Sequence, residues 1–467
     1  MTRTRWLATL ACALPCLGAC GDAATPRRDP TPATDPTAGT KPTKPSAPPR
    51  APEPEPWSDA WLLREGERFL TDTAYRRAAL ERSLVNPKNL YSRTRLASYG
   101  LGDRRWDRLP VWNPRALPVT AELAAVLERG EMPPAPTERL WDGVMPTTME
   151  GWVELGRTVF YGYPMRAEVY MEWGLTKPAL AASVGVERSA EGDVPGLVWF
   201  QDVDQQLRVG ITCAICHTAV VDGAVVEGPA RRSFDYGRLR LAYFEDTGEW
   251  VDPRFAARMA TWGPGRADVT EDDDEDPVAI PDLWSIRGQR WLTQAGTIRH
   301  DSPLALAIRQ DTQLTDSNHA LVRPPRALAW ALAMYVYSLQ PPERPDASAP
   351  PRGEALFADA CGGCHTGSSY GGRVIPADDV GTDPALATGR GRGTGKYRVA
   401  PLVRIADGAP YLHDGSVASL EELLSPERLS PDYEGGRFGP GPIPGHTAGT
   451  DLAQGDRAAL IAFLETI

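Results

Sequence analysis

The chain has 467 residues, with 50 Lys and Arg against 61 Asp and Glu and a net charge of −11. That length allows two or three domains and a sizeable buried core. The acidic balance argues against a nucleic-acid binder and suits a basic redox partner or simple solubility.

Arg3 and Arg5 precede an apolar run from Trp6 to Leu17, followed by Leu17-Gly18-Ala19-Cys20. The run is too short to span a bilayer, so residues 1–19 read as a signal peptide. The Leu-Gly-Ala-Cys ending resembles a bacterial lipobox. It would make Cys20 the lipidated first residue of a lipoprotein held to the inner or outer membrane on the periplasmic side. An ordinary secretory cleavage nearby is the alternative. Losing residues 1–19 removes two basic residues and no acidic one, taking the net charge from −11 to −13. Residues 20–56 then form a Pro-rich tether, with 11 prolines in the 31 positions 26–56 and no aromatic residue from 22 to 56. Such a segment cannot bury a core. At about 3 Å per residue it reaches up to ~100 Å.

Residues 57–200 are rich in Trp, Pro and Arg and contain no Cys or His. Helices are expected over Trp57–Leu70 and Thr120–Leu127. The stretch carries no chemical motif and is expected to be an N-terminal extension packed on the domain after it, where it can wall a substrate pocket.

Cys213-Ala214-Ile215-Cys216-His217 and Cys361-Gly362-Gly363-Cys364-His365 both have the C-x-x-C-H spacing of covalently attached haem c. Two thiols about one turn apart form thioethers to one porphyrin, and the next histidine reaches the iron from one face. One structural zinc shared by the pairs, or two redox dithiols, are the alternatives. However, they lie 148 residues apart, and zinc needs no histidine after both. The remaining cysteines also fit haem: Cys12 and Cys16 leave with the signal and Cys20 is acylated, so no thiol is left for a disulfide or a nucleophile.

An order of parts then appears twice. Cys213–His217 is followed by Pro281–Ile286, by His300-Asp301-Ser302, and by an apolar helix bearing Leu328, Leu332, Tyr335 and Leu339. Pro325 suits that helix's first turn and Pro341-Pro342 stops it. Cys361–His365 is followed by Pro401–Ile405, by His413-Asp414-Gly415-Ser416, and by a helix bearing Leu460, Phe463, Leu464 and Ile467. Duplication of a small helical haem domain explains the order. The fold class expected is mainly α: two cytochrome c-like haem domains in tandem, 201–345 and 346–467, with an N-terminal extension. The boundary falls in Pro341–Pro351, before a helix over Gly353–Ala358. The acidic run Glu271–Asp276 is a solvated loop or a calcium site, since carboxylate oxygens suit that ion.

With these residues in view, positions 200–467 resemble the bacterial di-haem cytochrome c peroxidase superfamily, whose relatives include the rubber oxygenases. The resemblance rests on the two haem motifs, on Ala409–Val417 with Leu420-Glu421-Glu422-Leu423, and on the closing helix. Val322–Leu339 and Gly445–Leu452 look closest to the rubber-oxygenase branch. The resemblance implies a reactive haem on His217, open to peroxide or dioxygen, and a six-coordinate, electron-passing haem on His365. Peroxidase members commonly ligate the second haem with methionine. Here the last methionine is Met334, before the second motif, and the resemblance implies His446 as sixth ligand, with His413 the alternative. Two imidazoles lower a haem's potential relative to Met/His ligation.

Two further departures concern catalysis. The family's inter-haem tryptophan segment is matched by Arg299-His300-Asp301-Ser302, so His300 takes the tryptophan's place, as an acid/base group, a structural residue or a ligand closing the first iron. Trp284 or Trp291 can still bridge the haems. No glutamate occurs from Pro277 to Pro342, where the family keeps a distal acid/base. His319 lies near that position, with Asp311 and Asp316 upstream; a histidine can do the same proton work, or it can be a helix-end histidine.

The leading expectation is an oxidoreductase that activates peroxide or dioxygen at the His217 haem and relays electrons through the His365 haem, with an apolar molecule as the substrate of any oxygenase chemistry. The alternatives are a non-catalytic electron-transfer lipoprotein with both irons blocked, and a haem-bearing subunit of a larger assembly.

Overall fold

Two helix pairs order the fold, and in each a glycine decides how closely the helices approach. In the computed structural model, which describes residues 53–100, 105–268, 272, 276–343 and 349–467, the helix Met149–Gly162 packs along the helix Arg326–Ser338. A Cβ on Gly156 would lie 2.1 Å from the Ala331 carbonyl oxygen and 2.6 Å from Tyr335 Cβ. In the C-terminal half, Pro351–Ala360 packs along Gln454–Leu464. There a Cβ on Gly353 would lie 2.1 Å from the Ala459 carbonyl oxygen and 2.7 Å from Phe463 Cβ. Both contacts use a glycine against a carbonyl and, four residues on, an aromatic Cβ. Only a missing side chain permits that approach.

The Arg326–Ser338 helix is buried at every position from Ala327 to Tyr337, as expected of a helix apolar all round. One face carries the expected Leu328, Leu332 and Tyr335 toward Val159, Phe160 and Trp284. The other carries Trp330, Ala333 and Met334 toward Leu62, Phe69 and Leu80. Those last residues belong to the helices Asp59–Thr71 and Thr73–Ser83. The first corresponds to the helix expected from Trp57, beginning where the Ser58 hydroxyl accepts from the Trp61 amide. Thr120 caps Ala121–Glu128 in the same way. The N-terminal region also reaches the C-terminal half: the Leu90 and Tyr91 amides donate to the Arg390 and Gly391 carbonyls, and the Asn86 and Asn89 amides donate to the Gly393 carbonyl.

Helix dominates and the sheets are small. The largest has four antiparallel strands in the order Arg115–Pro118, Leu197–Gln201, Leu207–Ile211, Arg166–Ala167. Its central hairpin leads directly into Cys213. At Gly196, with φ +94°, a Cβ would meet the Ile215 amide nitrogen at 2.1 Å, so the strand end lies tight on the first motif. The repeat read in the sequence has a backbone counterpart. Pro281–Ile286 and Pro401–Ile405 each reach a left-handed residue, Ser285 or Arg404, and then a short 3-10 helix, Ile286–Gly288 or Ile405–Asp407.

Residues 53–467 form one compact unit. The expected signal peptide, lipidated Cys20 and all but the last four residues of the tether lie outside the described residues. So do 344–348 of the expected domain boundary, and all of the acidic run except Asp272 and Asp276, so the calcium expectation rests on residues that are not described. Among the described residues no helix is long and apolar enough to cross a membrane.

Candidate functional site

The two motifs sit differently. Cys213 packs among Phe160, Tyr163, Trp284 and Leu328, and Cys216 against the neighbouring core of Leu197 and Phe234. Burial pushes both thiols up to about 11, and Cys361 likewise. A redox dithiol needs a depressed thiol pKa, so the shift runs against that use. None of the four cysteines forms a disulfide. Among the described residues no three or more His, Cys, Asp or Glu side chains converge as a metal-ion site.

His217 closes a four-residue helix, Ala214–His217. Burial, then the nearby Arg309 charge, pushes its imidazole down to about 4, while the Pro281 carbonyl acts in the opposite sense. The ring is therefore neutral at pH 7. Its Nδ1 is buried without a hydrogen bond of full geometry. Arg309, on the helix Pro303–Ser317, is itself depressed by burial and by Arg392 and Arg95. It forms no salt bridge to a carboxylate among the described residues, its hydrogen bond being a 3.4 Å contact to Gln310 Oε1. A guanidinium so placed favours an anion beside it.

The second motif faces a partner. His365 donates from Nδ1 to the Tyr370 carbonyl, 2.9 Å away, which fixes the tautomer and makes Nε2 the ring's acceptor nitrogen. The His446 ring lies across from it, centroids 6.3 Å apart and planes at 64°. Burial, then repulsion from His365, pushes His446 down to about 4. His446 has φ +46°, and its loop is clamped by fully buried Arg428. The Arg428 guanidinium donates to the carbonyls of Leu423 (2.9 Å), Ile443 (2.5 Å), Gly445 (2.9 Å) and His446 (2.8 Å). Neither Arg428 nor Arg309 was marked by any local pattern in the sequence.

The other histidines are placed elsewhere. His413 Nε2 is 3.2 Å from the Tyr397 hydroxyl, and the two rings lie 4.4 Å apart. His300 is buried with both nitrogens engaged, Nδ1 to the Gln289 carbonyl at 2.7 Å and Nε2 to the Tyr337 hydroxyl at 2.6 Å. Such an imidazole is not free to ligate iron or to meet a substrate, which differs from two of the three roles expected of it. His319 is exposed, with φ +56°. It lines a cleft of about 500 Å³ with Arg166, Glu168, Tyr170 and Arg240. Among the described residues no hydrogen bond, ring contact or charge interaction joins it to His217. Asp311 and Asp316 face Arg326 and Arg95. Trp284 donates from Nε1 to the Glu227 carbonyl, 3.0 Å away.

No protein-family model matches the chain, and no curated protein does. Among solved structures, it is similar to the crystal structure of a MauG-like protein associated with microbial copper homeostasis. The similarity has 21% identity and a TM-score of 0.30, covering 44% of this chain and 77% of that one.

Proposed function

We propose that the protein is an exported di-haem c-type oxidoreductase, with one iron open to peroxide or dioxygen and the other sealed for electron relay. One observation carries this reading: His365 faces a second imidazole, whereas among the described residues every histidine except His217 is engaged or placed away from it. Two imidazoles on one metal, each at the ~2.0 Å metal–nitrogen length of histidine ligation, put ring centroids roughly 6 Å apart. The His365–His446 spacing of 6.3 Å fits.

Haem, when bound, supplies one-electron chemistry at each iron and a site for an oxygen ligand where a position stays open. The chain's own residues do the rest. Cys213 and Cys216 with His217 would hold one haem, and Cys361 and Cys364 with His365 the other, where His446 would also reach the iron. The Tyr370 carbonyl fixes the His365 tautomer, and Arg428 holds His446 in place. Arg309 sets a positive charge beside His217, where it would suit a haem carboxylate. The helix Met149–Gly162 belongs with the first haem domain, as its packing repeats that of Pro351–Ala360 in the second. A lipid on Cys20 and a redox partner protein or small electron donor complete the proposal.

Cyanide titration of the purified ferric protein tests it. One equivalent should bind and perturb one of two haems. Uptake by neither, with both haems present, would leave an electron carrier.

A further inference from the structure

We propose that Tyr337 and His300 form a proton-coupled redox pair, in which Tyr337 yields one electron to an oxidised haem iron as its phenol proton moves to His300. The proposal rests on the di-haem reading above, but its geometry stands apart from either motif. The Gln289 carbonyl can only accept, so His300 Nδ1 carries the ring hydrogen. Nε2 then offers a lone pair, and the Tyr337 hydroxyl, 2.6 Å away, must be the donor. The tautomer is fixed by a backbone carbonyl, and with it the direction of the phenol's proton.

Both side chains are buried. Removing an electron from a buried phenol that keeps its proton leaves an unpaired charge in a poorly solvating core. An aligned imidazole lowers that cost, because the positive charge then rests on an imidazolium instead of a phenol radical cation. The step balances: Tyr337 loses one electron and the iron gains it, the O–H bond breaks, and an N–H bond forms at Nε2. Burial disfavours the charged ring, and the Gln289 carbonyl, which keeps its Nδ1 bond, and the nearby Asp301 carboxylate partly offset that. Returning the electron reverses both transfers.

The pair is seated on the chain segment that joins the two motifs. Pro281 acts on His217. Seven residues on, a Cβ at Gly288 would lie 3.6 Å from Ser369, the neighbour of the Tyr370 carbonyl that orients His365. Gln289, which holds His300, comes next. Outward, the Trp57 ring lies 5.7 Å from His300 and 5.5 Å from Tyr337, and Trp61 lies 5.7 Å from Trp57. Both tryptophans are part-exposed, giving the pair an aromatic outlet to the surface suited to a one-electron donor that cannot reach the iron.

The test uses the haem-loaded protein in two arms: peroxide with freeze-quench EPR, and a flash-generated one-electron photo-oxidant with transient absorption. A tyrosyl radical is expected in both, its hyperfine pattern collapsing with ring-deuterated tyrosine. Tyr337→Phe should abolish the radical while retaining two haems by pyridine haemochrome, and His300→Gln should slow its formation by about a hundredfold, as for loss of a positioned base. A radical of undiminished yield in Tyr337→Phe overturns the proposal. If peroxide oxidises neither haem, the open-iron reading fails, and the flash arm still decides the pair.

Discussion

Replacing Arg428 with Met removes the donor of four hydrogen bonds to the carbonyls of Leu423, Ile443, Gly445 and His446 while roughly keeping volume. Each buried acceptor left without a partner costs about 1–3 kcal/mol. Some of these carbonyls lie in loops that can rehydrate, so the net loss should be about 3–5 kcal/mol, in the range for breaking a buried charged contact. Total stability of roughly 5–15 kcal/mol survives that, but the His446 loop is where the loss falls. A bias of about 4 kcal/mol is roughly a thousandfold shift toward the open loop. The assay is paired: urea denaturation of the haem-loaded variant, and optical titration of the second haem with exogenous imidazole. The variant should denature earlier and its second iron should accept imidazole, whereas wild type should not. A denaturation free energy unchanged within about 0.5 kcal/mol, with the second iron still closed, would refute the role given to Arg428.

Gly156→Ala and Gly353→Ala should each destabilise by about 1–3 kcal/mol through overpacking against a carbonyl oxygen 2.1 Å from the new Cβ; a thermal melt unchanged in either variant contradicts the close helix approach. His300 is depressed below its ordinary value by burial, with the Gln289 carbonyl and Asp301 partly offsetting. Its contribution to stability is therefore full above the unfolded pKa of about 6.5 and is lost as pH falls from there through the folded value. His300→Gln should flatten that loss by up to about 1.4 kcal/mol per pH unit, read from denaturation at pH 7.5 and pH 5; parallel curves for the two proteins contradict it. Arg309→Met removes a positive charge beside His217, so the first haem's midpoint potential should fall while the second's stays, in a redox titration that resolves both. Equal shifts at the two haems would place Arg309 elsewhere.

Much of the fold was legible because short-range chemistry wrote it. Ser58, Thr120 and Pro325 mark helix starts, and the apolar run from Ala327 to Tyr337 announces a buried helix. The pairing of His365 with His446 came from family resemblance, and the two rings lie 6.3 Å apart. What was not legible depends on partners distant in sequence. Gly156 is an unremarkable helix glycine until Ala331 and Tyr335 arrive from 175 residues away or more, so the extension was expected to pack on 201–345 but the contact itself could not be named. Arg428 and Arg309 look like surface arginines because the carbonyls and the imidazole they serve are set only by the folded loops. His300 and His319 were matched to catalytic positions by linear order, but the fold gives one to Tyr337 and Gln289 and turns the other to the surface.

The central claim is that the two irons carry unlike ligand sets, and low-temperature EPR of the resting ferric protein, wild type beside His446→Ala, tests it most directly. Wild type should show one high-spin and one low-spin bis-imidazole haem, and the variant should lose only the low-spin signal. Two low-spin haems in wild type, or a low-spin signal that survives loss of His446, would contradict it.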